Sequence, residues 1–373
     1  MSAILFYDPL CRAPYDSRTL AAQAMGGSEA TLVRVADALG AYVIQHNRRE
    51  DWQRYRAPQR LAGITHVIVN RDSRALARVR ERYPAARLYL WLHDRLHPGT
   101  RRARWLASSA AVLRECGVSC VCVSDWQRAG VAATLARLGL AERVRAVRIY
   151  NPVDDALVPD GSAVDPRKLV FFSSPNKGLN FTLDAFAHLR RRMPDLRLVV
   201  GNPGYKRMSR ALPAGVESLG ALPQARMHAE VRGALCTFAP NFVIPETFGL
   251  EFAESHALGT PVLTHDCGAA REILADPEQV LPLSCGYRLY EAGAAALPVR
   301  WRRAPAWLAA RAGLFDAYAA RLASWRAGAR RRCPQPAADR AVRRAAAGAV
   351  GAPQPERFGG RLPGRTAAVP PPH

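Results

Sequence analysis

The chain has 373 residues, enough for two domains, and its 49% apolar and 23% charged residues exclude wholesale disorder and collagen-like repeats. Its formal net charge is +22, from 53 basic and 31 acidic residues. The excess is concentrated in residues 1–150 (+12) and 326–373 (+8), whereas residues 151–325 carry only +2, which argues against one continuous nucleic-acid groove.

Apolar runs alternate with helical patterns from the start. Strands are predicted at Ile4–Tyr7, Tyr42–Gln45, His66–Asn70, Leu88–Leu92, Cys120–Ser124 and Val144–Tyr150. Between them fall helices at Ser28–Leu39, Ser73–Arg82, Arg101–Arg114 and Trp126–Leu138. Strands separated by helices of this length imply βαβ units and a parallel sheet covered on both faces. The Pro-, Asp- and Gly-rich stretch 151–166 reads as a linker. The alternation then restarts. Strands are predicted at Leu169–Ser173, Leu196–Gly201, Leu235–Ala239 and Pro261–Thr264, with a short extended piece at Val216–Leu219. Helices are predicted at Leu179–Arg192, Arg226–Gly233, Gly249–Leu258, Ala269–Leu274 and Leu314–Ala327. The fold class is therefore α/β: two Rossmann-like domains, 1–150 and 167–327, facing across a cleft. Residues 328–373, rich in Ala, Arg, Pro and Gly without apolar periodicity, are expected to be a disordered basic tail.

The first residues lack a basic segment followed by an apolar one, and no stretch approaches the roughly 18 apolar residues that span a bilayer. Eight scattered cysteines, with Cys116, Cys120 and Cys122 in a strand-like context rather than in CxxC pairs, predict a reduced cytoplasmic protein without a metal site. Tyr and Trp are not interleaved with Arg in a stacking pattern, so no nucleic-acid partner is expected.

The segment richest in chemistry is Pro245–Thr264. A loop ending in Glu246 leads through Phe248-Gly249-Leu250 into a helix that carries Glu254 and stops at Gly259. A helix N-terminus offers free N–H groups and a partial positive charge, which suit a diphosphate, and Gly249 lets the backbone come close to it. Flanking carboxylates can accept hydrogen bonds from sugar or ribose hydroxyls. Two acids eight positions apart in Glu246-Thr-Phe-Gly-Leu-Glu-Phe-Ala-Glu254, followed by Gly259-Thr-Pro-Val, resemble the E-x(7)-E motif of the group 1 glycosyltransferases (family 4). The resemblance extends to Gly26-Gly27-Ser28-Glu29, to His93 at the end of Leu-Trp-Leu-His-Asp, and to Ser124-Asp125-Trp126. It continues through Ile149–Asp154, Ser173–Leu179 and Leu222-Pro223.

This resemblance implies a GT-B fold and a retaining transfer from a UDP- or GDP-linked sugar, without a cofactor or a metal. It implies that Glu254 takes the ribose, and that Glu246 with Phe248, Gly249 and Leu250 takes the sugar and diphosphate. Lys177, one of only three lysines in the chain, matches the family lysine that grips the diphosphate. Leu222 would cup the base. Gly26 and Gly27 would approach the donor phosphates or the acceptor across the cleft, and His93 would lie near the reacting carbon. The family arginine five residues before that lysine is missing, because Phe172 stands there, and Lys206 or Arg207 is the expected substitute. No D-x-D triplet occurs. The Arg-rich helices of the first half suggest an anionic or lipid-linked acceptor, with peripheral attachment at the inner membrane face. The alternative is a non-catalytic or hydrolytic GT-B relative that binds nucleotide sugars.

Overall fold

The structure, a computed structural model, describes residues 3–204, 210–240, 244–282 and 305–327. Lys206, Arg207 and the segment expected to be a tail lie outside the described residues.

The first sheet contains β1 (Ala3–Asp8), β2 (Tyr42–Gln45), β3 (Tyr55–Arg56), β4 (Ile64–Asn70), β5 (Arg87–Leu92), β6 (Ser119–Cys122) and β7 (Ala146–Arg148). All pair in parallel in the order β3-β2-β1-β4-β5-β6-β7. Its helices are α1 (Ser17–Ala22), α2 (Gly27–Ala38), α3 (Leu76–Arg82), α4 (Arg101–Ser108), α5 (Ala110–Glu115) and α6 (Asp125–Arg137). The second sheet contains β8 (Asp165–Phe171), β9 (Arg197–Gly201), β10 (Val216–Gly220), β11 (Ala234–Phe238), β12 (Val262–His265) and β13 (Val280–Leu281). It too is parallel, in the order β10-β9-β8-β11-β12-β13. Its helices are α7 (Leu179–Arg192), α8 (Gln224–Arg232), α9 (Leu250–Ala257), α10 (Ala270–Ile273) and α11 (Pro305–Ala327).

Several local expectations need correction. The helix read over Arg101–Arg114 is two helices. Ser109 breaks it with φ −99° and ψ 7°, while its hydroxyl donates to the Trp105 carbonyl at 2.8 Å, a local bond that competes with the helical ladder. β8 starts at Asp165, inside the stretch read as linker, where the Asp165 carboxylate accepts from Arg167 and Arg197. α1, β3 and β13 have two to six residues, too few to give a periodic signal.

Each sheet is buried on both faces. One cluster gathers Leu88, Leu90, Cys120, Cys122 and Val131 in the first domain, and another gathers Phe171, Phe186, Leu198, Phe238 and Tyr318 in the second. A third crosses between the domains, running from Phe6, Trp91 and Val123 to Phe248, Phe252 and Ala270. In both sheets the strand order reverses at the centre, between β1 and β4 and between β8 and β11. At such a point the loops leaving the carboxyl ends diverge and open a crevice.

Candidate active site

Two loops at the second sheet's reversal point supply the central ion pair. After β8 the chain runs through Ser173 and Ser174 into a short 3-10 turn, Pro175–Lys177, and then Gly178 opens α7 with φ +96°. After β11 the second loop delivers Glu246. The Lys177 ammonium lies 2.8 Å from Glu246 Oε1 and 2.9 Å from Oε2.

Glu246 is fixed from behind. Its main chain forms a parallel bridge with Gly268, and its carbonyl accepts from the Ala269 amide at 2.8 Å. A β-carbon at Gly268 would stand 2.2 Å from that carbonyl oxygen, and φ there is +73°. Three residues further along, Gly249 caps α9 with φ +83°, and a β-carbon there would meet the Phe252 ring at 2.4 Å. The turn therefore needs glycine for both conformation and space. No side chain caps α9, and its first two residues, Leu250 and Glu251, line the cleft.

Glu254, one turn into α9, is 4% exposed and held by both domains. Its Oε1 accepts from Arg34 of α2 at 3.3 Å, and its Oε2 lies 3.4 Å from His228 Nε2 of α8. Arg34 also donates to Gln224 Oε1 at 2.8 Å. Glu251 stands between the two predicted acids in sequence. Burial first, and then the neighbouring Glu246, push its carboxyl up to about 7, against the pull of Lys177 and a hydrogen bond from Ser173.

A cavity of about 730 Å³, counting the space open to solvent, brings most of these groups together. Lys177, Leu222, Leu250, Glu254 and Gly27 line it, along with Ser173, Asn202, Gln224, His228 and Glu251. Gly26 is the N-cap of α2, which starts at the cavity wall without a side-chain cap. Gly27 packs against Leu250, with its pro-β position 3.5 Å from Cδ2.

Glu246 and Gly249 adjoin the lining rather than forming it, Glu246 through its ion pair with Lys177 and Gly249 as the residue before Leu250. Phe248 and His93 lie elsewhere. The Phe248 side chain is buried in the interdomain cluster, its ring 5.9 Å from that of Tyr150, so only its main chain is available to a ligand. His93 sits behind the Glu246 loop, where its carbonyl accepts from the Thr247 hydroxyl at 2.7 Å. Burial first, then Arg71, lower its imidazole to about 3, so the ring is neutral at neutral pH. Its Nε2 is buried without a hydrogen-bond partner among the described residues. Ser124 caps α6, and the next two amides, of Asp125 and Trp126, donate across the domain boundary to the Glu272 carboxylate at 2.7 and 3.0 Å.

The expectation that the Arg-rich helices form an open basic face is only partly met. Arg102 is paired with Asp94 at 2.8 Å and Arg74 with Asp72 at 2.8 Å. Arg80 donates to the carbonyls of Pro84, Ala86 and Cys116. Arg74, Arg101 and Arg102 gather around the Trp105 ring, 3.6 to 4.9 Å from its centre. Among the described residues, no group of three His, Cys, Asp or Glu could hold a metal ion.

Sequence reading missed Arg34, Gln224, His228, Glu251, Gly268 and Glu272. Glu251 lies inside the motif itself, as a third acid on a helix that is buried from Glu251 to Ala257. Gly268 and Glu272 share the run Cys267-Gly-Ala-Ala-Arg-Glu272. Arg34 gave no signal, because its partner is 220 residues away.

Residues 163–299 match the profile of the family Glycosyl transferases group 1. The phosphatidyl-myo-inositol mannosyltransferase of Mycobacterium leprae is 32% identical over 166 residues, 39% of this chain and 44% of that protein. Its Mycobacterium tuberculosis counterpart is 33% identical over 145 residues, 36% and 38% of the two chains. The chain thus spans less than half the length of the curated relatives it matches. Among solved structures, Anabaena HepE in complex with UDP-glucose superposes with a TM-score of 0.58 at 15% identity, covering 93% of this chain and all of that one. Sucrose-phosphate synthase from Thermosynechococcus elongatus gives 0.54 at 14% identity, over 87% and 94% of the two chains. The fold is GT-B.

Proposed function

We propose that the chain is a glycosyltransferase that moves a sugar from a nucleotide-diphospho-sugar to an acceptor held by the first domain. The observation that carries this reading is the convergence of Lys177, Glu246 and Glu254 at the uncapped start of α9. Its support is the profile match of residues 163–299 and the mannosyltransferase and UDP-glucose descriptions of the relatives and neighbour.

In this reading the amides at the start of α9 and the Lys177 ammonium take the diphosphate, and their charge offsets the one that develops as it leaves. Glu246 accepts from the sugar hydroxyls. Glu254 accepts from the ribose, exchanging its bond to Arg34 for bonds to the nucleotide, while Leu222 and Gln224 face the base. We assign retention of configuration. The bond between the anomeric carbon and the diphosphate breaks, the acceptor oxygen attacks on the same face, and its proton passes to a diphosphate oxygen. The protein contributes position and charge rather than a nucleophile. Neither a metal nor a cofactor has a part in this scheme. Neutral His93 offers one hydrogen bond at Nε2, as donor or acceptor according to its tautomer, which gives it a positioning rather than an acid–base role.

The acceptor we propose is anionic or lipid-linked. The relatives' phosphatidyl-inositol description supports this, as does the arginine cluster around Trp105. The site of action would be the cytoplasmic face of a membrane. No helix among the described residues is long and apolar enough to cross one.

Glu246→Ala tests the assignment. Transfer or slow hydrolysis of a panel of nucleotide sugars should fall by at least about a hundredfold, since two or more charge-assisted hydrogen bonds to the sugar are lost. Circular dichroism and the unfolding midpoint should change little. Unchanged turnover would refute the role. A wild-type protein that hydrolyses nucleotide sugars but transfers to no acceptor would favour the hydrolytic alternative.

A further inference from the structure

Among the described residues, two acids, Glu246 and Glu251, face one ammonium, that of Lys177, at this end of the cavity. Glu251 is buried, lines the cavity, and accepts from the Ser173 hydroxyl. The charged groups facing it come from three segments. Lys177 comes from the loop after β8, Glu246 from the loop after β11, and Glu254 from the next turn of α9. Arg34 and His228 are engaged with Glu254. Among the described residues, Glu246 and Glu251 thus share the Lys177 ammonium. A diphosphate arriving at the start of α9 adds further negative charge on the same side of Lys177.

We propose that Glu251 is a further donor-site residue that carries a proton in the nucleotide-sugar complex, so that its carboxylic acid donates a hydrogen bond to a diphosphate oxygen where a carboxylate would repel it. This inference rests on the reading of the cavity as a nucleotide-sugar site. The neighbouring Glu246 already disfavours a second negative charge, and the incoming diphosphate disfavours it further, so the proton is held more tightly in the complex than in the free protein. Donor binding is then linked to proton uptake. Affinity is level at pH values where Glu251 already holds its proton. It falls about tenfold per pH unit above its free value near 7, until the value in the complex is reached.

Calorimetric titration of the full chain with UDP-glucose, GDP-mannose, ADP-glucose and dTDP-glucose tests this between pH 6 and 8.5, in buffers of different protonation enthalpy. The diphosphodiester of these probes does not titrate in that range, so the slope belongs to the protein. The expected result is affinity that declines above neutrality, with up to one proton taken up per ligand bound. Glu251→Gln should level the decline and abolish the uptake. Ser173→Ala should move the onset to higher pH, because it removes a bond that favours the carboxylate. A wild-type affinity independent of pH, or a decline that persists in Glu251→Gln, overturns the proposal. The wild-type proton count decides the matter even if the variant does not fold. Failure of all four probes to bind at pH 6 removes the nucleotide-sugar reading itself, and the proposal with it.

Discussion

Lys177 is committed before any ligand arrives, since both oxygens of Glu246 lie within 3 Å of its ammonium. Removing it does two things at once: it deletes a cation for the diphosphate and leaves buried carboxylates unopposed. Lys177→Ala should therefore weaken nucleotide-sugar binding by about 1–3 kcal/mol, toward the upper end of what one charge-assisted bond supplies. Calorimetry at pH 6.5 measures it. Arginine in its place would not restore the full effect, because a planar fork cannot reproduce a compact ammonium in this turn. Lys177 was legible from the sequence because lysine is so scarce. Arg34 was not, because nothing in a helix surface residue announces a partner in another domain.

At the scale of elements, the site is built from the ends of β8 and β11 and the start of α9, and the strand–helix alternation made those elements legible. What the alternation could not supply was the clasp on the Glu246 loop. Gly268 allows the β12–α10 turn to run against the Glu246 main chain without a side chain between them. Gly268→Ala should push that loop by an ångström or more and strain a left-handed backbone. The expected cost is on the order of 1–3 kcal/mol of stability, with a drop in turnover larger than the stability loss explains. Thermal unfolding and steady-state rates measured side by side check it. The misread helix at Ser109 has the same lesson in a smaller form, since one hydroxyl bonding back to Trp105 outweighs an unbroken helical pattern.

For the whole molecule, the architecture of two facing parallel sheets followed from periodicity and the position of one Pro- and Asp-rich break, whereas the contacts between the halves did not. Those contacts are side chains meeting across the boundary: Arg34 with Glu254, Thr247 with the His93 carbonyl, and Glu272 with the first amides of α6. The charge distribution likewise described the surface only in aggregate. Several arginines counted toward a basic face spend their charge on Asp72, Asp94 or backbone carbonyls. The attraction to a membrane should accordingly be weaker than the composition suggests. In sedimentation with vesicles, the protein should pellet with anionic lipid at low ionic strength, remain in solution with neutral lipid, and be released by about 0.3 M salt as screening sets in. Binding that is indifferent to lipid charge would contradict this.

The Arg34–Glu254 contact ties donor binding in one half to the posture of the other. If a nucleotide captures that carboxylate, the guanidinium keeps Gln224 but loses its counter-charge, and it can greet a second, negatively charged guest. Reciprocity then obliges the second guest to alter the first one's affinity by the same factor, whichever of the two arrives earlier.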